Sequence, residues 1–101
     1  MAEHRSEFAG AGQPVEADGR LDAAAFHRNH APIWAVLRKF LAGKSGDVME
    51  AGSGTGQHVV HFARHAPDIV WWPSDLNPAH LRSIAAWSAD AGPSNIRPAR
   101  Q

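Results

Sequence analysis

The 101-residue chain has no cysteine, no formal net charge and no long apolar run, and each lack excludes a class of function. Without cysteine there is no disulfide scaffold, no thiolate nucleophile and no thiolate-ligated zinc. Ten Lys and Arg balance ten Asp and Glu, so the electrostatic footprint of a general nucleic-acid binder is missing. No stretch approaches the ~20 apolar residues that span a bilayer. Residues 1–19 carry Glu3, Glu7, Glu16 and Asp18 and no apolar segment, unlike a secretory signal. A soluble, cytoplasmic protein is therefore expected. What is present is ordinary for a globular domain: 44% hydrophobic and 20% charged residues. The length allows one domain at most, near the lower limit for a self-sufficient core.

Residues 1–20 are rich in Gly, Ala, Glu and Gln and hold few sizeable apolar side chains. They are expected to form a flexible leader, because they bury too little surface to offset the entropy of ordering. Residues 21–101 form the expected domain. Asp22 is a candidate cap for a short helical stretch through Ala23, Ala24, Ala25 and Phe26. A stronger helix is expected after Pro32, a favoured first-turn residue. There Ile33, Val36, Leu37, Phe40 and Leu41 share one helical stripe. Asp47 to Ala51, bounded by glycines, reads as a buried strand. Gln57 to His65 returns to helical spacing, and Ile69-Val70-Trp71-Trp72 reads as a second strand ended by Pro73. Asn77-Pro78 opens a third helix, Gly92-Pro93 closes it, and Ile96 starts a candidate third strand. Alternating strands and helices imply an α/β fold, a parallel sheet covered on both faces, here incomplete.

The segment Glu50-Ala51-Gly52-Ser53-Gly54-Thr55-Gly56-Gln57 lies where a strand gives way to a helix. Alternate glycines let backbone approach a ligand closely, and the helix behind turns free amides toward it. The spacing is G-x-G-x-G. Gln57 stands where a dinucleotide-binding loop carries its third glycine, and no Gly-Lys-Ser/Thr follows. Glu50, two residues before the first glycine, suits an ammonium group and repels a pyrophosphate. These features favour S-adenosylmethionine over NAD. Asp75 follows the second strand, 23 residues after Gly52, close to the ~20 expected for an acid that accepts hydrogen bonds from ribose hydroxyls. Leu76 beside it is a candidate adenine-packing residue. The bend and Asp75 are expected to face one crevice at adjacent strand ends.

On these residues the chain resembles the class I S-adenosylmethionine-dependent methyltransferases. More narrowly it resembles the family called domain of unknown function 938, whose animal members are named methyltransferase-like protein 26. The matching residues are Arg28-Asn29 with Pro32-Ile33, the run Gly52 to Ala63, Trp72-Pro73-Ser74-Asp75 and His80-Leu81-Arg82-Ser83-Ile84. His30 departs from the pattern, which carries Lys there. The resemblance implies a Rossmann-like fold of which this chain holds the N-terminal, cofactor-binding part. It implies that Glu50, Gly52, Ser53, Gly54, Thr55 and Gly56 hold the methionine end of the cofactor, that Asp75 and Leu76 hold its nucleoside, and that Asn29 reaches the pocket from the preceding segment. The methyl acceptor and any catalytic residue stay unassigned.

Two other readings remain open: an NAD-type dinucleotide-binding domain, and a truncated, non-catalytic module that acts through association. Exposed sheet edges invite self-association, and cofactor binding by the chain alone is expected to be weak or absent. His58, His61 and His65 share a helical face but lack a carboxylate partner, so a packed or solvated face is expected there rather than a metal site. Trp71, Trp72 and Trp87 are expected to pack in the core or on the sheet.

Overall fold

The computed structural model describes residues 12–15 and 17–101. Along the chain come β1 (Gln13–Pro14), β2 (Leu21–Asp22), α1 (Ala24–Leu41), β3 (Gly46–Glu50), α2 (Gln57–His65), β4 (Ile69–Pro73) and α3 (Pro78–Ala91). The fold is mixed α/β, with two small sheets and three helices. β3 and β4 pair in parallel, from Gly46 opposite Ile69 to Glu50 opposite Pro73. Parallel neighbours need a crossover connection, and α2 lies within it. After α3 the chain returns to β4: Trp71 N–H donates to Asn95 O at 2.8 Å and Arg100 N–H to Pro73 O at 3.1 Å. Parallel bridges form at Ile96 and Arg100. The third strand expected from Ile96 is thus two bridges rather than a continuous strand. Pro98, which has no N–H to give, lies between them.

The β-strand alternation sets the core. Ile69 and Trp71 face one side, where Val59, Val60, Phe62 and Ala63 of α2 pack on them. Trp34, Leu37 and Leu41 of α1 and Trp87 and Ala91 of α3 close on the same cluster. All three helices therefore serve one face of the sheet. Covering of both faces was expected and is not found among the described residues: Asp47, Met49 and Trp72 line a hollow on the other side, and Met49 is 86% exposed. Trp71 is fully buried and its indole N–H has no partner among the described residues, while the Trp87 indole N–H donates to Leu21 O at 2.9 Å.

Near the N-terminus two expectations are corrected, and a hairpin is found inside the expected leader. Gln13 pairs with Asp22 and Pro14 with Leu21 in antiparallel register. Leu21 N–H donates to Ser83 Oγ at 3.0 Å, and Arg20 bridges Asp18 and Asp90 while lying over Trp87. These partners on α3 supply the interactions that local composition lacks. Residues 1–11 and Glu16 of the expected leader lie outside the described residues.

Asp22 does not cap α1. The N-cap is Ala23, without a side-chain bond, and Asp22 instead accepts from Gln57 Nε2 at 2.8 Å and pairs with His27. Finally, α1 is one helix with Pro32 inside it. Proline removes one helical hydrogen bond, at the carbonyl of Arg28. Arg28 and Pro32 are both exposed, where solvent reaches that carbonyl. The expected apolar stripe also splits. Trp34, stacked on Phe62 at 5.7 Å, takes the centre of the contact with Leu37 and Leu41 beside it. Ile33, Val36 and Phe40 are turned outward, Phe40 to 67% exposure.

Candidate functional site

A short bend runs from the tip of β3 into α2 and lies beside the tip of β4. Gly52, Gly54 and Gly56 all adopt left-handed backbone, with φ of 66°, 60° and 91°. Gly56 is also sterically required: a Cβ there would lie 2.8 Å from Ile84 Cα, so α3 packs directly on the bend. Among the described residues, a Cβ on Gly52 or Gly54 would meet nothing within 4 Å. Packing accounts for the third glycine and not for the first two, which line open space.

The bend is stitched to the neighbouring strand tip. Ser53 N–H donates to Ser74 O at 2.7 Å, Ser74 N–H to Ser53 Oγ at 2.9 Å and Ser74 Oγ to Glu50 O at 2.7 Å. On its other side, Ser83 Oγ donates to Thr55 O at 2.6 Å. Gln57 Oε1 accepts from both Thr55 Oγ1 and Ala23 N–H at 2.8 Å. Gln57 is therefore a buried tie between the hairpin, α1 and the bend. The side chains of Ser53 and Thr55, both buried, are engaged inside the protein, so they shape the bend while its backbone faces the crevice between the tips.

The two carboxylates differ sharply. Asp75 Oδ2 accepts from Gly54 N–H at 2.8 Å, and Oδ1 accepts from Asn77 N–H at 2.9 Å and from His80 Nδ1 at 3.1 Å. The glycine bend and Asp75 are thus in direct contact. Burial pushes the Asp75 carboxyl up, but the bonds from Asn77, Gly54 and His80 outweigh it and hold it below its ordinary value. Glu50 has a buried Oε1 without a hydrogen-bond partner among the described residues. Burial pushes its carboxyl up, Ser53 opposes that, and the nearby Asp75 charge adds to it. A cationic group arriving here would relieve both the desolvation and the repulsion.

The remaining sequence-selected residues lie apart. Leu76 is 82% exposed just past Asp75. Asn29 is exposed on α1, lining a groove of about 510 Å³ with Pro32, Ile33, Val36, Leu37 and Phe40; no described hydrogen bond joins it to the bend. His80 was legible only as part of a matching run. Its contact with Asp75 depends on Asn77, whose side chain caps α3 by accepting from Ala79 N–H at 2.8 Å with Pro78 in the first turn. A carboxylate five residues ahead of a first-turn histidine carries no recognisable motif.

The expected histidine face packs against α1. His30 stacks on Phe26 at 4.6 Å, and His61 lies 4.8 Å from His30 and 4.5 Å from His65 between ring centroids. Burial, then the neighbouring His65, His30, His58 and Arg64, pushes His61 down. Among the described residues no group of three or more His, Asp or Glu is arranged to hold a metal ion, and no helix is long and apolar enough to cross a membrane.

A family model described as a protein of unknown function, DUF938, matches residues 20–100. No solved structure matches the chain. The chain belongs to the DUF938 family.

Proposed function

We propose that the crevice between the tips of β3 and β4 binds S-adenosylmethionine and that the chain is the cofactor-binding part of a methyltransferase with a Rossmann-like sheet. The observation that carries this reading is the meeting of three features at one point. Gly54 N–H donates to Asp75 Oδ2 at 2.8 Å, Glu50 Oε1 is buried without a hydrogen-bond partner among the described residues, and Gly52 and Gly54 border open space. The parallel pairing of β3 with β4, and of β4 with residues 95–100, supports the sheet type.

The residues fit that cofactor by charge and shape. Glu50 would pair with the ammonium group of its amino-acid end. Gly52 and Gly54 would admit that end without a Cβ in the way. Asp75 would accept from the two ribose hydroxyls, and Leu76 would lie against the base. When bound, the cofactor supplies a methyl group on a positively charged sulfur, an activated leaving group that needs no covalent enzyme intermediate. The chain's contribution is to hold and orient it. No residue is assigned as a base, because the acceptor is unassigned.

NAD is the competing ligand, favoured only by the ribose-type acid; Gln57 and the buried Glu50 oppose it. An association module is the other alternative, favoured by the exposed Met49 and Phe40. A thermal-shift comparison separates the ligands. S-adenosylhomocysteine at millimolar concentration should raise the melting temperature while NAD leaves it unchanged; a rise with NAD alone would reverse the assignment.

A further inference from the structure

We propose that His80 is a positioning residue for Asp75, holding Oδ1 toward α3 so that Oδ2 is presented to the crevice and to a ribose hydroxyl there. This rests on the cofactor reading above. An ionised carboxylate only accepts, so His80 Nδ1 must carry the proton in their 3.1 Å contact. That bond and the Asn77 N–H bond both fall on Oδ1. Oδ1 is thereby tied to the start of α3 by two donors, while Oδ2 accepts from Gly54 N–H on the bend side of the crevice. The side chains of His80 and Asp75 are each only 12% exposed, so solvent does not readily replace the bond if the imidazole is removed.

The other ring nitrogen of His80, Nε2, is buried and has no partner among the described residues. The imidazole is therefore held to the site through Asp75 rather than through a second protein bond.

The groups whose charge acts on Asp75 are His80, from α3, and Glu50, from the tip of β3. The neutral donors are Gly54 N–H of the bend and Asn77 N–H at the start of α3.

The test uses the full chain with His80→Leu, His80→Asn and Asp75→Ala, singly, and with His80→Leu combined with Asp75→Ala. In the free protein, NMR follows the Asp75 carboxyl titration and the exchange of the Gly54 amide. His80→Leu should raise the Asp75 midpoint and speed Gly54 exchange, and His80→Asn, whose amide N–H reaches the place of Nδ1, should restore both. With S-adenosylhomocysteine, His80→Leu should weaken binding about tenfold, the value of one bond to a charged group, and add no loss in the Asp75→Ala background. An unchanged titration and unchanged Gly54 exchange in His80→Leu would overturn the positioning role whatever the ligand does. A further loss in the Asp75→Ala background would overturn it as well. Changed titration with no binding by the unsubstituted chain would instead overturn the cofactor reading, and with it the presentation of Oδ2 to a ribose.

Discussion

The tips of the two parallel strands end in carboxylates that the protein treats in opposite ways. At the tip of β4, Asp75 receives three donors from the bend and the start of α3; at the tip of β3, Glu50 has a buried oxygen with no partner among the described residues. Folding alone explains the first, because an acid that caps a turn and ties a loop stabilises the structure it sits in. It does not explain the second, since a buried carboxylate oxygen left without a donor opposes folding. Such a cost is expected where a group is kept for a ligand that arrives later. The glycine bend repeats the contrast: Gly56 is required by the close approach of Ile84, and Gly54 is not required by any neighbour.

Substitutions can break that contrast at its strongest point first. Gly56→Ala forces a Cβ into Ile84 backbone at a positive φ, and should cost about 2–5 kcal/mol from strain and overpacking together. Gly54→Ala meets no neighbour and should cost about 1–2 kcal/mol, from backbone conformation alone. Chemical denaturation of the two variants checks the difference; equal losses would remove the distinction between a packing glycine and a ligand-facing one.

Asp75→Ala should destabilise by about 1–3 kcal/mol, because Gly54, Asn77 and His80 lose an acceptor that solvent only partly replaces. Its pH signature has a definite sign. The folded carboxyl lies below its ordinary value, so its stabilisation is complete above the ordinary carboxylate range and fades as pH falls through the folded value. The difference in stability between the unsubstituted chain and Asp75→Ala should therefore shrink on strong acidification, as read by urea midpoints from pH 7 to pH 3.

Glu50→Gln should do the reverse. The folded carboxyl lies above its ordinary value, so the favourable contribution exists at acid pH, where the group is neutral, and is lost as pH rises through the folded value. At pH 7 the amide should raise stability by about 1 kcal/mol or less while weakening S-adenosylhomocysteine binding. A fall in melting temperature would make Glu50 a stabilising turn acid and erase the difference between the two tips.

The smallest effect belongs to the helix seam and serves as a control. His58 and His61 are pushed down by burial first, so folding keeps them neutral, and stability should decline as pH falls below about 6.5. His61→Gln should flatten that decline without altering the carboxylate signatures below it.

Much of this architecture was legible from local pattern. Gln57–His65 emerges as α2 over the span that helical spacing marked, and Asn77, Pro78 and Gly92 bound α3 as their capping chemistry requires. Strand-end geometry put the bend and Asp75 at one crevice, and the structure adds their direct contact through Gly54 N–H. What escaped depended on distant partners. The β1–β2 hairpin is ordered by Ser83, Trp87 and Asp90, more than sixty residues away. Pro32 continues a helix because its face is exposed, and Trp34 sets a rotation of α1 that the position of aliphatic residues alone did not reveal. His80 joins the site only through the path of the chain at Asn77, which no spacing rule encodes.

The most direct test follows the amide signals of the full chain while S-adenosylhomocysteine is added, with NAD in a parallel titration. The account predicts saturable shifts concentrated at Gly52, Gly54 and Asp75, even at millimolar affinity, and none of that pattern with NAD. Shifts elsewhere with both strand tips silent, or the same pattern produced by NAD, would contradict it.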